Sequence, residues 1–424
     1  MRSTRTPQRT PVARALVALV VVATGLSGFA GTAGGPRKLA GYRVVKVRTI
    51  ATGLTSYLLE GGSPRQRIWV AVATAEAKVR PVARLSRNRV AGPSPRMQTT
   101  SSMCRADDCL LAVNGDFYGS AGWPRGALVR GREPMVSQSY NRPHLLIARD
   151  GGLSFGRPDL RSRLVIRYPP PLSSTQPPLV PDLEEVLGQE EAPAKPRDER
   201  VKRSVSGVNV RRGKNNIVLY TQRFGKRTAT SKSGVDLVLK IVEPSGRIKI
   251  GQKTILKPAR LDKDGNAKIP TRGAVLSARG NGADKLRTIW KDVRSGKARK
   301  KVALRFRTDR DLAHAIGGRP VLVRDGKNVA PSDDYFSRVR APRTVAGWNA
   351  KGDLFLVTID GRRSSAAGMN LVQAARLMRA LGVHDAINLD GGGSTTFVIK
   401  GEVRNRPSSG YERSVSTSLV LVKA

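Results

Sequence analysis

From Ala386 to Phe397 the chain reads Ala-Ile-Asn-Leu-Asp-Gly-Gly-Gly-Ser-Thr-Thr-Phe, and no other stretch limits its fold as strongly. An apolar strand runs straight into a carboxylate, Asp390, followed by Gly391, Gly392 and Gly393. Such a turn exposes backbone, and three glycines in a row can set successive N–H groups in a concave nest suited to an anion such as phosphate. A bare glycine run is also an ordinary turn between two strands. Dinucleotide-binding and P-loop turns need a helix N-terminus behind their glycines. Here Thr395 to Ile399 reads as a further strand, so both of those readings fail.

The residues around this turn carry the firmest local signals. Leu354 to Ile359 reads as a strand, Asn370 as a helix N-cap, and Leu371, Ala374, Ala375, Met378 and Leu381 as an apolar helical stripe closed by Gly382. With Ala386 to Leu389 as the next strand, this unit resembles the start of a parallel crossover. Near the front, Leu110 to Val113 empties into Asn114-Gly115-Asp116, echoing Ile387-Asn388-Leu389-Asp390 and suggesting two strand ends that converge on one cleft. Tyr42 to Leu85 alternates as half-buried strands, clearest at Ile68 to Val72, and strand-like runs return at Ile217 to Thr221 and Val235 to Val242. Leu286, Ile289, Trp290 and Val293 make Asp284 to Lys301 an amphipathic surface helix fading into a basic loop. From Tyr168 to Arg200, Pro169 to Pro171, Pro177-Pro178, Pro181, Pro193 and Pro196 bracket Asp182, Glu184, Glu185, Glu190 and Glu191, which reads as an extended, proline-rich acidic insertion or linker.

Basic Arg2, Arg5, Arg9 and Arg14, the apolar run Ala15 to Leu26 and the small-x-small Gly28-Phe29-Ala30 form a secretory signal over residues 1–30, with an uncleaved anchor as the alternative. The expected location is secreted or cell-wall associated. In an oxidising compartment the two cysteines, Cys104 and Cys109, should pair. His144, His314 and His384 stand in no metal-ligand spacing, so no metal and no cofactor is expected. Lys plus Arg total 76 against 32 acidic residues, a formal charge of +44, or +40 once the four signal arginines are removed. So large an excess seeks anions. The basic residues are scattered and aromatics make up only 5%, with no helix-turn-helix, zinc finger or RNA-binding motif. Nucleic acid is therefore not the expected partner. Anionic wall polymers or lipid headgroups suit an exported chain better, and a basic composition with no partner at all is the remaining alternative.

Arg343-Thr344-Val345-Ala346-Gly347-Trp348, Asp360-Gly361-Arg362, Gly368-Met369-Asn370-Leu371, the Asp390 turn, Asn405-Arg406-Pro407-Ser408 and Arg413-Ser414-Val415 follow one another in order. Asn114-Gly115-Asp116-Phe117-Tyr118 and Gly317-Gly318-Arg319-Pro320-Val321-Leu322 precede them. This ordered series resembles the phosphodiester glycosidase family, densely from Gly317 onward and again around Asn114, thinly from Pro169 to Lys301. The resemblance implies an α+β fold of β-rich mixed sheets with a few helices, in a domain spanning residues 31–424. It also implies hydrolysis of a sugar, such as N-acetylglucosamine, from a phosphodiester. The family more often carries Asn-Gly-Gly-Phe where this chain has Asn-Gly-Asp-Phe, which sets Asp116 apart.

In a glycosyl phosphodiester the group leaving carbon 1 is a phosphate monoester with a second pKa of ~6, so it departs with little protonation. The enzyme must neutralise phosphate, shelter an oxocarbenium-like sugar and supply a carboxylate. Asp390, Asp360 and Asp116 are the candidate carboxylates. Arg343 and Arg413 are candidate phosphate forks, with Gly391, Gly392 and Gly393 as the nest and Asn114, Asn388, Ser394 and Thr395 as further substrate contacts. Asn405 is a sugar ligand or a loop tie, Arg319 a weaker candidate, and Asn370 a helix cap. The competing reading is a non-catalytic binder of anionic surface polymers.

Overall fold

The structure, a computed structural model, describes residues 38–90, 97–137, 141–170 and 197–424. It is strand-rich with few helices, as expected. The expected signal at residues 1–30 lies outside the described residues. So does most of the acidic insertion, whose flanking strands pair antiparallel with Tyr168 opposite Glu199.

The largest sheet runs, edge to edge, Lys38–Leu39, Tyr42–Ala51, Leu54–Gly61, Gln66–Ala73, Leu354–Ile359, Arg343–Trp348, Asp385–Asn388, Val321–Arg324 and Lys327–Asn328. Its central strands are covered on both faces, which is why Ile68 to Val72 and Leu354 to Ile359 read as unbroken apolar runs. Alternate residues of Leu354–Ile359 take opposite sides. Leu354 and Leu356 face the other sheets. Phe355, Val357 and Ile359 pack on Leu371, Ala374, Ala375 and Met378 of the helix Leu371–Ala380. Each such side chain contributes roughly 1.5–3 kcal/mol when fully buried. That helix is capped as its sequence requires: Asn370 accepts from Gln373 N–H, Gln373 reaches back to the Asn370 N–H, and Gly382 leaves it at φ +80°. The expected crossover takes a modified form. Leu354–Ile359 and Asp385–Asn388 are parallel, but Arg343–Trp348 lies between them, antiparallel to both.

A five-stranded sheet orders Glu402–Val403, Phe397–Ile399, Leu111–Asn114, Thr417–Lys423 and Val79–Leu85; a second holds Leu153–Gly156, His144–Ala148, Leu312–Gly317, Leu128–Arg130 and Glu133–Val136. Both pack under the large sheet. An eight-stranded sheet, including Glu199–Ser204, Arg161–Tyr168, Val302–Arg307 and Lys253–Asp262, closes its own core against the helix Asn281–Arg294. That helix starts three residues before the expected one and stops at Arg294, with Leu286, Ile289 and Val293 buried. Among the described residues no helix is long and apolar enough to cross a membrane.

Candidate active site

Two strand ends from different sheets do converge. The Asn114 side-chain amide donates to the Asp390 carbonyl at 2.6 Å, and the Asp390 N–H donates to the Gly115 carbonyl at 2.9 Å. Asn114 Oδ1 accepts from Thr344 Oγ1 at 2.7 Å and from Thr396 N–H at 3.1 Å. With no exposed surface and both acceptor positions used, Asn114 clamps the sheets together and has no face to offer a sugar. The disulfide Cys104–Cys109 stands just upstream, at the entry to Leu111–Asn114.

The clamp brings Asp390 to Asp116. Asp390 is half-buried; Gly391 N–H donates to its Oδ1 at 2.9 Å and the Ser394 hydroxyl also bonds it. Burial pushes its pKa up to about 6, against the opposing pull of Ser394, Gly391 and the charges of Arg413 and Arg142. Asp116 is only 2% exposed. Its N–H donates to Thr417 Oγ1 at 2.8 Å, and its Oδ2 accepts from Gly126 N–H at 2.5 Å. The carboxyl fills a socket made by two absent side chains, since a Cβ on Gly317 would lie 2.5 Å from Asp116 Oδ2 and one on Gly126 2.9 Å from it. Burial raises the Asp116 pKa to about 6; Arg142 and the Gly126 N–H oppose the rise, and the Asp390 charge adds to it.

Arg142, 8% exposed, sits under this pair with Nη2 3.4 Å from Asp116 Oδ1 and its guanidinium 5.1 Å from the centre of the Phe117 ring. It also feels Asp390 and two exposed cations, Arg125 and Arg319. Arg413 is exposed, acts on Asp390, and forms no hydrogen bond or ion pair among the described residues. Arg125, Arg319 and Arg413 thus have surface to spare for a ligand. Arg125 and Arg142 escape sequence reading because an arginine outside a motif carries no mark in a chain holding 76 basic residues.

The glycines serve differently from the expected nest. Gly391 N–H is spent on the Asp390 carboxylate and Gly392 N–H on the Pro342 carbonyl at 2.9 Å. What the turn needs is the missing side chains. A Cβ on Gly391 would lie 2.8 Å from Pro342 O, Gly392 sits at φ +58°, and a Cβ on Gly393 would press on the flexible end of Arg413 and on Ser409 Oγ at 2.7 Å. The backbone then makes a single 3-10 turn, Gly392–Ser394, so the following strand is shorter than expected, Phe397–Ile399.

Arg343 also has another task. It is 2% exposed; Nε donates to Met369 O at 3.0 Å, and one terminal nitrogen to Phe336 O at 2.9 Å and Val339 O at 2.8 Å. A guanidinium so engaged ties two backbone segments to its own strand and is no free phosphate fork. Asp360, 1% exposed, meets Arg67 Nε at 3.4 Å, Asn405 Nδ2 at 3.2 Å and Arg406 N–H at 3.2 Å. Burial pushes its pKa to about 6, and its charged neighbours are Arg67 and Arg363, not the Asp116–Asp390 pair. Asn405 further ties Thr395 O and Phe397 N–H, the loop role of its two readings. Asn388 Nδ2 donates to Arg319 O and Leu389 O, leaving Oδ1 buried with no protein partner; Thr395 Oγ1 is in the same position.

His144 borders the Asp116 socket, since the Cβ that Gly126 lacks would lie 2.9 Å from His144 Nε2 as well as from Asp116 Oδ2. His144 accepts from Ala127 N–H, and burial lowers its pKa, like that of His314, to about 4. His384 pairs with Asp385 and, with exposed Asp325, forms the one trio among the described residues whose ligand atoms lie within 4.8 Å of one another. It occupies the far end of Asp385–Asn388 from Asp390.

Residues 248–422 match the family model described as phosphodiester glycosidase. The mouse N-acetylglucosamine-1-phosphodiester alpha-N-acetylglucosaminidase is 42% identical over 73 residues, 17% of this chain and 14% of that protein. The SPbeta prophage-derived protein YomE of Bacillus subtilis is 34% identical over 83 residues, 20% of this chain and 13% of that one. The matched stretches thus span about a seventh of these relatives' length. A Synechocystis protein of solved structure superposes with a TM-score of 0.60 at 18% identity, covering 89% of this chain and 63% of that one, a likeness of fold.

Proposed function

From the premise that this chain belongs to the phosphodiester glycosidase family over residues 248–422, we propose that it hydrolyses a glycosyl-1-phosphodiester at the sugar C1–O bond. The observation that carries the reading is the joining of Asp390 to the Asn114–Asp116 strand end through the Asn114 and Gly115 hydrogen bonds, with buried Arg142 3.4 Å from Asp116 and exposed Arg413 acting on Asp390. The exposed arginines neutralise the phosphate, whose departure as a monoester then needs little proton transfer. Asp390 is the accessible acid and takes the role of base or nucleophile at carbon 1. Asp116, walled in by Gly126 and Gly317, tunes Asp390 through its charge and is a positioning residue.

Hydrolysis in water enriched in heavy oxygen should place the label on the released sugar. Label on the phosphomonoester would mean attack at phosphorus and would end the proposal.

We extend the reading to an exported enzyme whose substrate is a phosphodiester on a wall or surface glycopolymer, supported by the signal-like residues 1–30 and the +44 charge. The mature protein should then be found outside the cell with its N-terminus just after Ala30. A cytoplasmic protein retaining Met1 would refute this part alone.

A further inference from the structure

One face of the eight-stranded sheet is built in a way that folding alone disfavours. Arg161–Tyr168, Val302–Arg307 and Lys253–Asp262 turn Leu164, Ile166, Leu304, Phe306 and Leu256 into the core, so the alternate residues share the outer face. In the register observed, Arg161 stands opposite Arg307, and Arg163 opposite Arg305. Lys253 faces Arg305 from the other side, and Arg167 faces Arg200 across the next pairing. Opposed residues on one face of an antiparallel pair have Cβ atoms about 4.5–5.5 Å apart, and like charges there are destabilising.

Few carboxylates relieve them. Arg161 pairs with Asp309, and Arg149, close by, with Asp311, while Asp198 lies near Arg167 and Arg200 but is held by Arg299. Arg163, Arg200, Lys253, Arg305 and Arg307 are exposed and form no ion pair among the described residues. The face is concave, enclosing a groove of about 870 Å³ that no aromatic residue lines. Arg161 and Arg163, Arg305 and Arg307, and Arg200 and Lys202 each stand roughly 7 Å apart along their strands, twice the rise per residue.

We propose that this groove binds a linear polyanion with phosphates at short, regular intervals. A groove suits a thin chain better than a flat membrane. Without aromatic rings it lacks the stacking platform that single-stranded nucleic acid uses. The site is separate from the acid pair, so it stands or falls independently of the hydrolytic reading.

Inorganic polyphosphate serves as probe. The full chain should bind it with a strong inverse dependence on salt. Arg163→Glu/Arg200→Glu should weaken binding at least tenfold at low salt and lower the slope of log K against log salt by roughly 1–2. Its melting temperature should hold or rise, because each glutamate now faces an arginine. Arg163→Gln/Arg200→Gln should show a smaller loss in the same direction. Lys46→Glu/Arg48→Glu, an equal charge change on the exposed strand Tyr42–Ala51, should cost little affinity, and all variants should keep activity on a small diester. Equal weakening by the Lys46/Arg48 variant would reduce the effect to overall charge and overturn the proposal. So would absence of polyphosphate binding, or tighter binding to single-stranded DNA or anionic vesicles.

Discussion

Asp390→Asn should slow hydrolysis at least about a hundredfold, on the order expected for loss of one base or nucleophile, and, at neutral pH, make the protein more stable. The pKa of Asp390 in the folded chain is about 6, against roughly 3.9 in an unfolded one. The folded state therefore binds the proton more tightly, and the stability this confers is complete below about pH 4 and is lost as pH rises through 6. At pH 7.5 the ionised carboxylate costs at most about 3 kcal/mol, which the neutral amide avoids while still accepting from Gly391 N–H. Loss of one base or nucleophile should lower the rate by roughly 10²–10⁴. Melting curves of the two proteins should coincide near pH 4 and separate above pH 6, with the variant higher. Wild-type kcat/KM should climb through the same window as Asp390 ionises. An active variant, or one less stable than wild type at pH 7.5, would remove Asp390 from the chemistry proposed for it.

Arg343→Met should unfold far more readily than wild type, whereas Arg413→Met should fold normally and bind substrate poorly. The first change strands the buried Met369 carbonyl and the half-buried carbonyls of Phe336 and Val339, for a non-additive loss of about 3–5 kcal/mol. The second removes an exposed cation beside Asp390, so stability should move by no more than about 0.5 kcal/mol while KM rises about ten- to a hundredfold. Urea midpoints and steady-state kinetics on both variants read the contrast. A stable Arg343→Met with a raised KM would give back to Arg343 the phosphate-binding role that its motif suggests.

Those two arginines show where sequence reading reaches and where it stops. The helix Leu371–Ala380 is legible almost to the residue because its cap, stripe and terminal glycine are local signals. The meeting of Asn114 with Asp390 is legible only as an echo between two strand ends, since it depends on a contact across 276 positions. Burial of Arg343 is not legible: its partners are main-chain carbonyls, which leave no trace in residue identity. The same holds for Arg142, placed by Phe117 and Asp116, and for Arg343–Trp348, whose position between two parallel strands follows from sheet order and not from its own composition. Glycine is the reverse case. Gly391 to Gly393 are conspicuous, yet what they do is admit Pro342 and Arg413, neighbours that only the folded chain reveals.

Thr417 gives the acid pair a timing as well as a shape. Its carbonyl accepts the Gly115 N–H and its hydroxyl accepts the Asp116 N–H, so the carboxylate nearest the front of the chain is seated by a residue three hundred positions later. Contacts of such span are slow to form, because loop closure must be met before they return any stability. A chain that has assembled its helices and local hairpins but not yet docked Thr417–Lys423 would leave Asp116 without its seat. The proposed catalytic site is therefore expected to be complete only once that C-terminal strand has docked.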